Sequence, residues 1–274
     1  MPEEKWLEIN GQKIFYRDIG QGICTVLIHG FAEDGRIWDK QIDALKNDFR
    51  LIIPGLPGSG KSIMDSHAPN VSNPIKMDDY ASLIKGLLDK EKIGSCVLIG
   101  HSMGGYITLA FAEKYPEMLA GFALVNSTAY ADSEEKKALR QKSIEFIQKN
   151  GSADFIRQST PNLFSDFTQK NRPELIEEII ERYDNFRPES LVSYYKAMIL
   201  RPDRTELLKS FKRPIMFIIG GKDNIVPLED SLKLSHLPTI SYIHILENTG
   251  HMGMLESTPE LNKYLKDFII KAGV

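Results

Sequence analysis

Short runs in which nearly every residue is apolar recur along this chain, separated by longer stretches whose apolar residues return every three or four positions. Residues 24–28, 49–53, 96–99, 121–126, 214–220 and 241–246 carry the first pattern, that of strands buried on both faces. The last of these reads as a buried strand like the others. The second pattern predicts helices over 35–45, through Ile37, Trp38, Ile42 and Leu45, and over 75–90, through Tyr80, Leu83, Ile84, Leu87 and Leu88. Helices are also expected from 103 and over 258–272. At the start, 5–9 and 12–18 flank Asn10-Gly11, the dipeptide that favours a two-residue hairpin turn. Strands alternating with helices predict an α/β fold, a parallel sheet covered on both faces.

One region breaks the alternation. Residues 127–210 offer no convincing strand, only helical segments punctuated by Asn150-Gly151, Pro161, Pro173, Pro188 and Pro202. That is far longer than a strand-to-helix connection requires. The expected organisation is a core of 1–126 and 211–274 with 127–210 as a helical cap over the strand ends, where ligands bind in open α/β sheets. Among its apolar residues, Phe164, Phe167, Tyr194 and Met198 are taken as candidate substrate contacts, although most of the others must form the cap's own core.

Composition narrows the partners. Of 274 residues, 42% are hydrophobic and 26% charged, the balance of a globular chain rather than a disordered one. A formal net charge of -3 gives no electrostatic footprint for nucleic acid or an anionic membrane. No run approaches a membrane span and the first residues lack a signal-peptide h-region, so a cytoplasmic protein is expected. Cys24 and Cys96 both begin predicted strands and read as buried reduced thiols. The sequence carries no signal for an oligomeric state.

The candidate chemistry centres on Gly100-His101-Ser102-Met103-Gly104, the G-x-S-x-G of a nucleophile elbow between a strand and a helix. Glycines there remove Cβ atoms where the two backbones approach, lifting the Ser102 hydroxyl above the sheet. A serine hydroxyl needs a base, and the base needs an orienting acid. His251 in Gly250-His251 follows the last strand and so stands on the same sheet edge as Ser102. Asp223, in Gly221-Lys222-Asp223, follows the strand before it and is the expected acid, with Asp132 as its rival. His67, His236 and His244 read as structural or solvated, and His101 should point away from its neighbour. Two backbone N–H groups, of Met103 and of Phe31 in His29-Gly30-Phe31, would form the oxyanion hole. Two cysteines and scattered histidines give no metal spacing, so no metal is expected and His29 reads as structural.

A second motif competes. Gly55-Leu56-Pro57-Gly58-Ser59-Gly60-Lys61-Ser62 matches the phosphate-binding pattern G-x-x-x-x-G-K-[ST] at every fixed position. That chemistry requires a helix starting at the lysine. Ile63 onward, with Pro69 and Pro74, is poor helix sequence, and no buried strand ends in an aspartate suited to Mg²⁺. Nucleotide binding is therefore not expected of Lys61.

Taken together, His29-Gly30-Phe31, Gly100-His101-Ser102-Met103-Gly104-Gly105, Gly221-Lys222-Asp223 with Val226-Pro227, and Gly250-His251 resemble the α/β-hydrolase superfamily, in its branch of small capped esterases. The resemblance spans nearly the whole chain and implies a mostly parallel eight-stranded sheet, a helical cap inserted after the sixth strand, and a cofactor-free serine hydrolase acting on a small-molecule ester or thioester. Relatives with dehalogenase or epoxide-hydrolase chemistry carry aspartate where Ser102 stands, and the loop after His29-Gly30 lacks the Gly-Pro of carbon–carbon bond hydrolases. Gly55 stands where relatives usually carry an aspartate. The alternative within the superfamily is a small-molecule sensor in which turnover is incidental.

Overall fold

Eight strands pair into one sheet in the order β1-β2-β4-β3-β5-β6-β7-β8 in this computed structural model, which describes residues 3–9, 11–65 and 74–273. They are β1 (Glu3–Ile9), β2 (Gln12–Ile19), β3 (Cys24–Ile28), β4 (Arg50–Pro54), β5 (Cys96–His101), β6 (Leu119–Val125), β7 (Ile215–Gly220) and β8 (Ser241–Leu246). β1 and β2 run antiparallel, as do β2 and β4; every other neighbouring pair is parallel. The order reverses at β3, which lies between β4 and β5. Such a switch point opens a crevice beyond the strand C-termini, and the loops after β3 and β5 border it.

β3, β5 and β7 are buried at every position, as their unbroken apolar runs require. β8 departs from expectation. Ile243 and Ile245 are exposed at 37% and 42%, because β8 is the last strand of the sheet and only one of its faces is covered. On that face Tyr264 stacks on His244 with ring centroids 3.8 Å apart, and Phe268 meets Tyr242. The register Ile9↔Gln12 pairs β1 with β2 as a hairpin would, but Asn10 of the expected turn, and His67, lie outside the described residues. Cys24 and Cys96 are free and buried, and burial pushes the Cys24 thiol up to about 12.

Helices α1 (Asp39–Leu45), α2 (Met77–Lys90) and α3 (Met103–Lys114) follow β3, β4 and β5, and α2 packs on α3. The expected helix over 35–45 is split into a 3₁₀ turn, Gly35–Trp38, capped by the Asp34 side chain, and α1. Between β6 and β7 the chain makes six helices and no strand: α4 (Glu134–Asn150), α5 (Ser152–Ser159), α6 (Asp166–Asn171), α7 (Pro173–Tyr183), α8 (Pro188–Ile199) and α9 (Thr205–Ser210). The punctuating residues work as starts. Pro173 and Pro188 occupy the first turns of α7 and α8, where a missing N–H costs nothing, and Ser133 and Ser165 cap α4 and α6. α4 packs along α8, and α9 returns to α3. Then follow α10 (Leu228–Ser235), α11 (Gly253–Glu256) and α12 (Thr258–Ala272). Among the described residues no helix is long and apolar enough to cross a membrane.

Candidate active site

At the end of β5, Ser102 adopts φ 50° and ψ -114°, a conformation that a residue with a Cβ rarely adopts. The neighbours enforce it. A Cβ on Gly100 would stand 2.3 Å from the Gly104 carbonyl oxygen, and one on Gly104 would stand 2.3 Å from that of Ile28, so strand and helix meet this closely only with glycine at both positions. The Ser102 amide donates to Val125 O of the adjoining strand at 3.0 Å, and its carbonyl accepts from Gly105 N and Ser127 Oγ. The turn is therefore locked on both sides, with Ser102 lining a cavity of about 490 Å³.

His251 and Asp223 meet on the same edge. The His251 Nδ1 lies 2.9 Å from Asp223 Oδ2, both side chains are buried, and His251 lines the cavity with Ser102. Asp223 accepts three further hydrogen bonds, from Asn126 Nδ2 at 3.0 Å and from the amides of Ile225 and Val226. Burial works against its charge, but His251, the Val226 amide and Asn126 outweigh it and hold the carboxyl below the ordinary range. The sequence reading missed Asn126. Its φ of 48° just after β6 and its second bond, to Gly250 O, make it a brace between the loops of Asp223 and His251.

The loop of His251 is also tied to the helical insert. The His251 amide donates to Leu163 O at 2.7 Å. One Glu256 oxygen accepts from Ser165 N, Ser165 Oγ and Thr168 Oγ1, while the other accepts from the amides of Gly250 and Met252. Glu256 is thus a clamp of five hydrogen bonds joining α6's start to the loop that carries His251. It stands five residues after His251 and gave no sequence signal.

On the opposite rim, the Gly30 amide donates to buried Glu33 Oε2 at 2.7 Å, and the same oxygen lies 3.1 Å from His101 Nδ1. His101 Nε2 in turn lies 3.0 Å from His251 O. Burial alone would discharge both groups. Their mutual attraction, with the Gly30 and His251 backbone groups, reverses this: the Glu33 carboxyl is held below its usual range and the His101 imidazole above its own. His101, expected to point away from Ser102, links the Gly30-Phe31 loop to the His251 loop and lines the same cavity as Ser102. His29 is buried and neutral; burial lowers its pKa, its Nδ1 meets Gly30 O, and its Nε2 accepts from Leu56 N. Phe31 lines the cavity, and Met103 is the first residue of α3, whose leading N–H groups have no intrahelical acceptor.

The expected substrate contacts need correction. Of the four, only Met198 lines the cavity. Phe164 is fully buried beside Gly250, and Phe167 is 59% exposed on the outside of α6. Tyr194 is buried with its hydroxyl donating to Pro57 O, its ring edge-on to Phe31. The apolar wall is instead built by Phe31, Tyr106, Phe155, Ile156, Tyr195 and Met252. Tyr194 and Tyr195 are neighbours on α8, and a rotation of about 100° between them decides which one faces the cavity.

The competing assignments fall elsewhere. Asp132, the rival acid, is buried against Arg140 and Arg201, not His251. Lys61 sits in a turn, pairs with Glu4 and lies over the Phe15 ring, and the chain then bridges Ile63 to Lys13 instead of starting a helix. Among the described residues no group of histidine, cysteine and carboxylate side chains could hold a metal.

Comparison with known proteins agrees with this fold. The family model for the alpha/beta hydrolase fold matches residues 26–258. The chain is 29% identical to a 2-hydroxy-6-oxononadienedioate/2-hydroxy-6-oxononatrienedioate hydrolase of Paraburkholderia phymatum, covering 94% of this chain and 91% of that one. Among solved structures it is similar to a thermophilic esterase from Thermogutta terrifontis, with a TM-score of 0.89, 29% identity and both chains fully covered. It shares its fold with the enol-lactonase from Burkholderia xenovorans LB400, with a TM-score of 0.87 at 21% identity, covering 97% of this chain and all of that one. With a sheet in this order, a glycine-flanked serine turn after β5 and a family match over most of its length, the chain belongs to the α/β-hydrolase family, whose members here are hydrolases.

Proposed function

We propose that this protein hydrolyses a carboxylic ester or thioester through an acyl-serine intermediate. One observation carries the reading: Ser102, in a turn it can hold only between two glycines, shares a cavity with a histidine already hydrogen-bonded to a buried, ionised aspartate. His251 takes the Ser102 proton as Oγ attacks the acyl carbonyl, and Asp223 stabilises the imidazolium that forms. The oxyanion is received by the N–H groups of Met103 and Phe31. His251 then gives its proton to the departing alkoxide or thiolate, leaving the acyl group on Ser102. Water, deprotonated by the same histidine, attacks the acyl carbon, the acyl–Oγ bond breaks, and His251 returns its proton to Ser102 Oγ as the acid leaves. No cofactor enters any step.

Residues 127–210 act as the cap in this reading, closing the cavity and choosing the acyl group. Phe31, Phe155, Tyr195 and Met198 favour apolar chains of small to medium size, a match for about 490 Å³. Turnover of an aryl ester with a burst, and labelling by a fluorophosphonate, are the expected results. Both should vanish in Ser102→Ala, with kcat lower by on the order of 10⁶. Labelling that survives in that variant rejects the serine.

A second reading rests on the curated relatives named as 2-hydroxy-6-oxononadienedioate/2-hydroxy-6-oxononatrienedioate hydrolases and on one named as a 2-hydroxy-6-oxo-6-phenylhexa-2,4-dienoate hydrolase, at 26–29% identity over most of both chains. The same triad would serve it. Faster turnover of such a dienoate than of any ester in the panel would make it the preferred one.

A further inference from the structure

Two guanidinium groups share one carboxylate at the edge of the cavity. Arg201 approaches Asp132 from behind, with Nη1 and Nη2 each 2.9 Å from one carboxylate oxygen, and its side chain is 3% exposed. Asp132 itself is fully buried. Burial disfavours its charge, but the bonds from Arg140 and Arg201 outweigh this and hold the carboxyl below its usual range. Two guanidinium groups thus meet one buried carboxylate, and the exposed Asp203 is the further carboxylate that Arg201 acts on. Arg140 binds the same carboxylate through Nε at 2.6 Å and a long 3.4 Å contact from Nη2, so two cations share this one buried anion and a positive charge is left over.

That surplus faces the cavity. Arg140 lines it while Asp132 and Arg201 do not, and its Nη1 makes no hydrogen bond to the protein among the described residues. The other charges along this wall do not cancel it. Glu33 is committed to His101 and the Gly30 amide, and Glu135 lies at the exposed rim of α4. Lys136, one turn before Arg140 on α4, adds positive charge, with its ammonium on Ile225 O. Ser133 and Ser143, three residues beyond either end of this pair, place hydroxyls on the same helical stripe. A guanidinium only 12% exposed that shares its counter-ion, Asp132, with a second arginine is under-compensated unless a ligand supplies another anion.

Resting on the proposed ester hydrolysis at Ser102, we infer that the substrate carries an ionised carboxylate, bound by Arg140 at the α4 end of the cavity. The planar fork of arginine suits a carboxylate, and the apolar wall of Phe155, Tyr195 and Met198 suits the chain between that carboxylate and the ester.

The test compares monomethyl with dimethyl succinate, glutarate and adipate, which differ in the charge of the acyl side. Acetoxyacetate and its methyl ester place the charge on the alcohol side instead. The wild type should show a KM roughly ten- to a hundredfold lower for the charged member of one series, as expected for a charge-assisted hydrogen bond lost in the neutral one. Arg140→Gln should raise that KM by a similar factor while neutral-ester kcat/KM stays within about threefold. No preference for either charged series in the wild type, or an equal loss on charged and neutral esters in the variant, overturns the inference. Should Arg140→Gln fail to fold, the wild-type preference decides, and Arg140→Lys should keep part of it. Binding of free glutarate to Ser102→Ala, read as a rise in Tm that Arg140→Gln lacks, needs no turnover. It therefore separates failure of this subsite from failure of ester hydrolysis.

Discussion

The sheet edge and the helical insert face each other across one cavity, yet they fix their side chains in different ways. On the sheet side each group is set by backbone geometry within a few residues of it. Ser102 is held by two glycines and a positive φ, and Asp223 by amides two and three residues further on. On the insert side a residue faces the cavity or not according to the phase and docking of a whole helix, as Tyr194 and Tyr195 demonstrate. The sheet edge is thus a set of local solutions, while the insert is a packing solution that depends on the whole chain. His251 is where they join, with its side chain on Asp223 and its amide on Leu163 of the insert.

The widest separation between the two regions should come from their aspartates. Asp223→Asn removes the charge that orients His251 and stabilises its protonated form, and is expected to lower kcat by roughly 10⁴. Asp132→Asn touches neither His251 nor Ser102 and should cost less than tenfold in kcat on a neutral ester. Steady-state rates on one aryl ester decide it. A larger loss at Asp132 would move the acid to the insert and dissolve the contrast.

Glu256 tests whether the insert is only a cover. The insert and the His251 loop share its five hydrogen bonds, and a misplacement of about 1 Å at the reacting groups can cost 10²-fold. Glu256→Gln keeps the size and loses the charge, so kcat should fall roughly ten- to a hundredfold with KM little changed. Unchanged kcat would mean that the sheet holds His251 unaided.

These two cases also mark where the sequence is legible. Ser102, Asp223 and His251 announce themselves because each sits in a short turn with its own signature, and the loops that carry them follow the apolar strands β5, β7 and β8. β8 was mistaken for a buried strand because Ile243 and Ile245 satisfy the apolar pattern although they face outward. Asn126, Glu33 and Glu256 left no trace, since each acts through partners 97, 68 and 91 residues away. No local pattern encodes such a pairing. Phe167 was chosen as a contact on composition, but a large apolar residue on a short helix carries no information about which way that helix faces.

A smaller effect should separate lining residues from buried ones. Each methylene seated against Phe155, Tyr195 or Met198 is worth about 0.8 kcal/mol, roughly fourfold in kcat/KM, until the cavity is full. Met198→Ala and Tyr195→Ala should therefore shift the optimum acyl length upward, whereas Phe167→Ala, on an exposed side chain, should leave the profile as it is. A shift caused by Phe167→Ala would show that the insert closes on that side when substrate binds.

The smallest expected effect concerns stability and belongs to the sheet edge. Glu33 is held below its ordinary value of 4.5, so its contribution is present above that pH and is lost as pH falls through the lower folded value. His101 is held above 6.5, so its contribution is complete below 6.5 and is lost as pH rises through the raised folded value. The charged pair thus stabilises fully only between these limits, in mildly acidic solution. His101→Gln should lower Tm most at about pH 5.5, and the gap from the wild type should narrow by about pH 8.5. Glu33→Gln should show the same narrowing, because either change removes the same ion pair. A gap that stays constant across this range would mean that His101 is neutral throughout, and that only packing ties the Gly30-Phe31 loop to the loop of His251.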